Sequence, residues 1–485
     1  MVAVAAAGVA ALALAGPATR SGAAARPAPQ ALPSFDADFT GRTMRVDYFH
    51  SGTATEEHIS LDRVVSDGPW PGSRTRLVDD LNLGKYLFEV ADRASNRLLY
   101  SRGFSSVYGE WQTTAEAKQV WRTYHESLRF PWPRRPVQVT LKKRGDDGLF
   151  REIWTTAIDP NSRFVNSADL APQGHVWALF ENGPPAEKVD LLILGDGYTA
   201  AEMEKFHADA TRLVGALFRE EPYRSRKSDF NVRALELPSA ESGVTRPHAG
   251  IFRRSPLSTH YSTFDSERYA LTFDNRRLRD AASAAPYDFL VVLVNERTYG
   301  GGGIFNDQTV VAAGSAYSVY LFIHEFGHNF AGLGDEYYTS DVAYETGAAE
   351  KPEPWEPNLT ALHDPAKLKW KDLVDAGTPL STPWNKEEFE KESRAAQEVR
   401  RKLRASGAPE EEMEKLFREE QATETRLLGG SAYAGKVGAF EGAGYEAKGL
   451  YRPRTDCIMF SRDEVGFCPV CRRAIERVID QYSRP

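Results

Sequence analysis

His324-Glu325-Phe326-Gly327-His328-Asn329-Phe330-Ala331-Gly332-Leu333-Gly334-Asp335-Glu336 is the stretch from which the rest of the chain is read. Two imidazoles stand four residues apart with a carboxylate between them. On a helix, positions i and i+4 share a face about one turn apart. Their ring nitrogens can together hold one Zn²⁺, with Glu325 beside the ion where a bound water lies. Val319, Phe322, Ile323 and Phe326 surround the pair, so the predicted helix, Ser318 to Phe330, is buried on most sides. Buried neutral imidazoles need partners, and a metal supplies one for each. The competing reading is a pair of ordinary helix histidines.

Gly332 and Gly334 break the helix, and Asp335 and Glu336 follow at once. An open catalytic zinc site takes three protein ligands. A short carboxylate directly after a glycine turn has the reach of a third ligand, which favours Asp335. Glu336 is the rival, an acid from another helix is a third choice, and a turn-capping role is the plain structural reading of Asp335. The expected site is His324, His328 and Asp335 around one Zn²⁺, with Glu325 as general base passing a proton from water to the leaving group.

Outward from the helix, the order of elements predicts a mixed α/β region. Val189 to Leu194 is apolar apart from Asp190, as in a buried strand. Thr199 and Glu202 form a capping-box pattern ahead of Met203, Phe206, Ala210, Leu213, Leu217 and Phe218 at helical spacing. Phe230 to Leu237 and Phe289 to Asn295 read as further strands. Gly300-Gly301-Gly302-Gly303 follows the second of these and suggests a mobile rim or an ordinary flexible loop. Lys386 to Leu428 is dense in Glu, Lys and Arg, with few apolar positions such as Leu403, Met413 and Leu416. It reads as one or two solvated helices inserted in the catalytic region, with a lid as the minority view.

The stretch His324 to Tyr337, together with Asp456-Cys457-Ile458-Met459 and Phe467-Cys468-Pro469-Val470-Cys471, resembles the metzincin metallopeptidases. It resembles more closely the secreted bacterial IgA peptidase family, over about residues 185 to 485. The resemblance implies a zinc endopeptidase with a protein or peptide substrate. It implies that Met459 packs beneath the metal without ligating it. The common metzincin pattern has its glycine three residues after the second His and its ligand six after it. Here those positions are Ala331 and Gly334, so Gly332 and Asp335 each come one residue late. The assisting tyrosine of metzincins is not carried over, because Ser461 holds its position; Tyr337 and Tyr338 are candidates, with packing the plainer role. Immunoglobulin as substrate is not carried over either, because specificity lies in cleft loops.

Residues from about 35 to 160 carry alternating segments. Met44 to His50 is one. Tyr86 to Val90 with Leu98 to Phe104, and Val137 to Lys143 with Leu149 to Thr155, read as hairpins. These predict a small β-sandwich over 34–180, similar to the N-terminal domain that accompanies the family, ahead of a metzincin-like mixed-sheet catalytic domain over 185–485 with its helical insertion at 386–428. No chemistry is assigned to the first unit.

Val2 to Ala15 is a run of Ala, Val, Leu and Gly, and Ala/Pro/Arg-rich sequence continues to Pro33. Residues 1–33 therefore read as a signal peptide and linker, which predicts a secreted, periplasmic or cell-surface protein. The net charge of −8 offers no basic surface to nucleic acid or anionic lipid. No apolar window in the body of the chain is long enough to span a membrane. Oligomeric state is left open. The three cysteines, Cys457, Cys468 and Cys471, allow at most one internal disulfide. A structural disulfide involving Cys457 is the plainer reading; a redox pair or half a zinc site at Cys468-Pro469-Val470-Cys471 are the others. Asn358-Leu359-Thr360 matches a glycosylation sequon. Two further functional readings are carried. One is a zinc hydrolase of a non-peptide amide, and the other is an inactive metal-binding protein, against which intact Glu325 argues.

Overall fold

A computed structural model describes residues 32–340, 351–463 and 465–483. The signal-like run lies outside the described residues, as does the linker up to residue 31.

Period-2 patterning in the first half of the chain produces two four-stranded sheets. One contains β1 (Phe39–Gly52), β2 (Glu57–Pro69), β5 (Arg122–Pro133) and β8 (Val165–Asn166), in the order β5-β1-β2-β8. The other contains β3 (Tyr86–Asp92), β4 (Leu98–Phe104), β6 (Val137–Arg144) and β7 (Phe150–Ile158), in the order β4-β3-β6-β7. Both expected hairpins are present: β3 pairs antiparallel with β4, and β6 with β7. Met44, Val46 and Tyr48 of β1 share one core with Phe88, Val90, Val139 and Leu141. Arg45 and Asp47, on the opposite face of β1, are also fully buried. Arg45 reaches Asp67 at 2.7 Å and also pairs with Asp280 from the later part of the chain. A buried guanidinium is tolerated only with such partners, so this face is covered by the region that follows.

That region is mixed α/β. Its six-stranded sheet has the order β13-β14-β12-β10-β11-β9. It is built from β9 (His175–Phe180), β10 (Val189–Asp196), β11 (Phe230–Glu236), β12 (Phe289–Val294), β13 (Gly301–Ile304) and β14 (Gln308–Ala312). Every residue of β10 is buried, Asp190 included, as expected of a central strand whose Leu191 to Leu194 run is wholly apolar. β10 is parallel to β11 and β12, and β12 to β14. β13 and β9 are the antiparallel edges. β9 falls within the segment read as the first unit, yet its pairing with β11 makes it part of this sheet.

The α-helices among the described residues are α1 (Phe35–Asp38), α2 (Val107–Trp111), α3 (Met203–Leu217), α4 (Asn275–Ala282), α5 (Ser318–Ala331), α6 (Lys386–Ala405), α7 (Glu410–Gly429) and α8 (Pro469–Ser483). The Thr199–Glu202 capping box is formed ahead of α3. A two-stranded ribbon of β15 (Phe440–Ala443) and β16 (Glu446–Arg452) precedes α8. Helix α5 packs on β13, β14, α3 and α8, which buries it deeply.

The charged segment does form two helices, α6 and α7, but it is not simply solvated. Met413 and Phe417 are 0% and 1% exposed and belong to the main core. Phe389 and Leu428 pack with Tyr338 and Phe460. A few apolar side chains at helical spacing suffice to anchor an otherwise charged hairpin. Among the described residues, no helix is long and apolar enough to cross a membrane.

Candidate active site

Helix α5 carries His324, Glu325 and His328 on its buried length and ends at Gly332, whose φ is 59°. Gly332 N–H donates to the His328 carbonyl at 3.0 Å, a left-handed C-terminal cap. The chain then turns back along the helix. Asn358 holds that turn, accepting from Gly334 N–H at 2.8 Å and donating to the Gly334 carbonyl at 2.9 Å. Asn358 is 0% exposed, so the sequon asparagine is a buried clamp and not a surface acceptor.

The turn delivers Asp335 to the two imidazoles. Asp335 Oδ1 is 3.0 Å from His324 Nε2 and 3.2 Å from His328 Nε2. The two Nε2 atoms are 3.2 Å apart. His324 Nδ1 faces the Ile458 carbonyl at 2.9 Å, and His328 Nδ1 faces the Leu333 carbonyl at 2.5 Å. A nitrogen facing a carbonyl carries the ring hydrogen, which leaves each neutral Nε2 as a bare acceptor. Three acceptors therefore converge on one point, and a cation is what relieves that. Zinc–nitrogen and zinc–oxygen bonds of about 2.0–2.2 Å place tetrahedral ligand atoms about 3.3 Å apart. The donor set fits Zn²⁺ in both chemistry and spacing.

Burial raises the Glu325 carboxyl above its usual range, while His324 and His328 oppose the shift. With no cation among the three groups, burial pushes the His328 imidazole down but Asp335 outweighs it and holds the ring at about 9, so that a proton then does what a metal ion would do between them. Burial would raise Asp335; the two imidazoles instead hold it well below the usual carboxylate range.

Met459 is fully buried against α5, and a Cβ placed on Gly327 would lie 3.1 Å from its Sδ. Glycine between the two histidines is what lets the methionine approach the helix. The Gly300–Gly303 run is also a packing device. A Cβ on Gly303 would lie 2.1 Å from the Glu325 carbonyl, so strand β13 lies directly against the helix. The outer edge of β13 is partly taken: Gly301 N–H donates to Arg268 O, and Gly301 O accepts from Ala270 N–H, each at 3.1 Å. The mobile-rim reading is thus replaced by a close-packed strand.

Glu325, His328 and Asp335 line a cavity of about 460 Å³ together with Arg268, Tyr337 and Tyr445. Tyr445 donates to Asp335 Oδ2. Arg268 Nη2 is 3.3 Å from Tyr337 Oη, and the Tyr337 ring stacks on His324 with centroids 6.1 Å apart. Tyr338 instead packs in the small cluster under α6 and α7. Sequence reasoning missed Arg268 and Tyr445; both lie in loops far from the helix in sequence, and no motif marks them. Ser105, Ser106, Gly109, Glu110 and Thr113 from the N-terminal half line the same cavity. Arg400 of α6 and Glu420 of α7 line a smaller pocket with His324 and Glu325.

Glu336 does not face the histidines. It is 0% exposed and turns toward Cys471, 3.4 Å from Oε1 to Sγ. The expected disulfide is not formed: all three cysteines are free, with Cys457 Sγ and Cys471 Sγ 3.9 Å apart.

A buried helix of this kind, with a carboxylate beside a convergent donor set at the wall of a cavity, is an arrangement suited to hydrolysis, and the family comparisons point to a peptidase. The model described as IgA Peptidase M64 matches residues 177–479. The model described as Peptidase M64 N-terminus matches residues 34–155. The chain belongs to the M64 peptidase family. No curated protein matches it.

Proposed function

We propose that this chain is a secreted zinc endopeptidase in which Glu325 is the general base. The carrying observation is the meeting of His324 Nε2, His328 Nε2 and Asp335 Oδ1 within 3.0–3.2 Å, with Glu325 on the wall of the same cavity. When bound there, Zn²⁺ supplies Lewis acidity and brings the pKa of water toward about 7. Glu325 takes the proton from the attacking water and returns it to the leaving nitrogen. Its raised affinity for a proton suits both halves of that transfer. Arg268 and Tyr337 face the same space and offer donors to the carbonyl oxygen as it gains charge. Tyr445 fixes Asp335, and the Ile458 and Leu333 carbonyls fix the two rings.

The reading of the whole chain follows. The two-sheet N-terminal unit is a sandwich whose Ser105–Thr113 segment forms one wall of the substrate cleft, on a metzincin-like catalytic region. Export rests on the apolar run from Val2 to Ala15. The test is Glu325→Gln, assayed on an unfolded protein substrate with zinc content measured alongside. The expected result is retained zinc and activity lower by about 10²–10⁴-fold, the usual worth of a general base. Full activity in Glu325→Gln would overturn the assignment.

A further inference from the structure

We propose that Cys457, Cys468, Cys471 and Glu336 form a second metal site, a closed structural zinc centre separate from the catalytic one. The four side chains come from two distant parts of the chain, and none is more than 1% exposed. One ligand atom from each lies within 4.8 Å of all the others. A zinc–sulfur bond of about 2.3 Å makes the sulfur–sulfur edge of a tetrahedron about 3.8 Å and its sulfur–oxygen edge about 3.5 Å. The corresponding separations here are 3.9 Å for Cys457 to Cys471 and 3.4 Å for Cys471 to Glu336.

The polar atoms are also arranged for an ion. Glu336 Oε1 accepts from Asn358 Nδ2 at 2.9 Å, but Oε2, though buried, has no hydrogen-bond partner. A buried carboxylate oxygen left without one is costly. Cys468 N–H points at Cys457 Sγ at 3.3 Å, and Cys471 N–H points at Cys468 Sγ at 3.5 Å. Donors of this kind stabilise thiolates, as does the first turn of a helix, and Cys471 lies in the first turn of the 15-residue α8. Three thiolates and a carboxylate on a divalent ion leave negative charge, and the buried guanidinium of Arg452 interacts with both Glu336 and Cys457. All four positions are protein ligands, so no place is open for substrate, which is the mark of a structural site.

Its consequence is mechanical. Glu336 follows Asp335 directly, and Glu336 N–H donates to the Met459 carbonyl at 2.8 Å. Ile458, which receives the His324 Nδ1 hydrogen, follows Cys457. An ion held by Glu336 and Cys457 therefore ties together the segment bearing Asp335 and the segment that orients His324.

The test is cobalt substitution of the full chain, expressed in cobalt-supplemented medium, with metal counted by elemental analysis. The expected result is two equivalents per chain and a near-ultraviolet thiolate-to-cobalt charge-transfer band. The catalytic donors include no sulfur, so the band reports this site alone. It is expected to persist in the His324→Ala/His328→Ala variant with one equivalent remaining, and to vanish in Cys468→Ser. Wild-type protein with at most one equivalent and no band overturns the proposal, as does a disulfide between any two of these cysteines in the native protein. The wild-type measurement stands even where Cys468→Ser does not fold. A single equivalent that survives Cys468→Ser and is lost with His328 sinks this site and leaves the catalytic one intact.

Discussion

Asp335 and Glu336 are neighbours in the chain and point into different clusters: Asp335 Oδ1 lies 3.0 Å from His324 Nε2, and Glu336 Oε1 lies 3.4 Å from Cys471 Sγ. Adjacent residues of an extended segment alternate sides, so the turn after Gly332 can serve only one of them to the histidines. Asp335→Ala is expected to cost one equivalent of zinc and essentially all activity. Tyr445→Phe, which removes only the donor to Asp335 Oδ2, is expected to weaken zinc by about 10–100-fold. Competition with a chelator of known affinity measures both, and unchanged affinity in Tyr445→Phe refutes the supporting role.

Gly303→Ala tests the approach of β13 to α5. The added Cβ would meet the Glu325 carbonyl at 2.1 Å, and backbone cannot step aside as a flexible side chain can. Destabilisation of at least about 1–3 kcal/mol is expected, with activity falling further because Glu325 is displaced. Gly429→Ala, with nothing within 4 Å, is the control and is expected to be neutral or mildly stabilising. Urea unfolding of the two variants is the comparison; equal midpoints would contradict the packing.

Phe417→Ala asks whether the α6–α7 hairpin is part of the core. Phe417 is 1% exposed and packs edge-on against Tyr317, 5.5 Å between centroids. A loss of about 3–5 kcal/mol is expected, measured by the shift in urea midpoint. Val399→Ala on the same hairpin, 43% exposed, is expected to stay within about 0.5 kcal/mol.

Glu57 gives the N-terminal half an acid-sensitive joint. Burial alone would raise its carboxyl, but His50 at 2.8 Å and the Lys143 ammonium hold it down to about 2 against an ordinary 4.5. A depressed carboxylate contributes stability that is whole above the unfolded value and lost as pH falls through the folded one. The stability difference between wild type and Glu57→Gln is therefore expected to be flat from pH about 4.5 to about 6.5 and to shrink at higher pH, where His50, whose own affinity for a proton Glu57 raises, becomes neutral. Below pH about 4.5, the gap narrows by about 1.4 kcal/mol per pH unit. Urea titrations at several pH values read this directly, and a gap that widens on acidification below pH about 4.5 would rule it out.

The sequence by itself determined the helix and the placing of His324, Glu325 and His328 along it, because a four-residue spacing on a helix fixes geometry locally. It determined the buried strand at Val189 and both N-terminal hairpins for the same reason: a period of two or a dense apolar run such as Leu191 to Leu194 is a local signal. It ranked Asp335 over Glu336 by reach alone. Only the tertiary structure decided what depends on distant segments meeting. Arg268 and Tyr445 come from loops, and the Ser105–Thr113 wall from a helix of five residues and its flanks, all too short to carry a periodic mark. The glycines before β14 looked like freedom and turned out to be contact, since a missing Cβ reads the same in both cases until a neighbour is in place. The cysteines looked like a disulfide because pairing cannot be read from spacing. Their meeting with Glu336 required the turn after α5 and the start of α8 to be folded against each other.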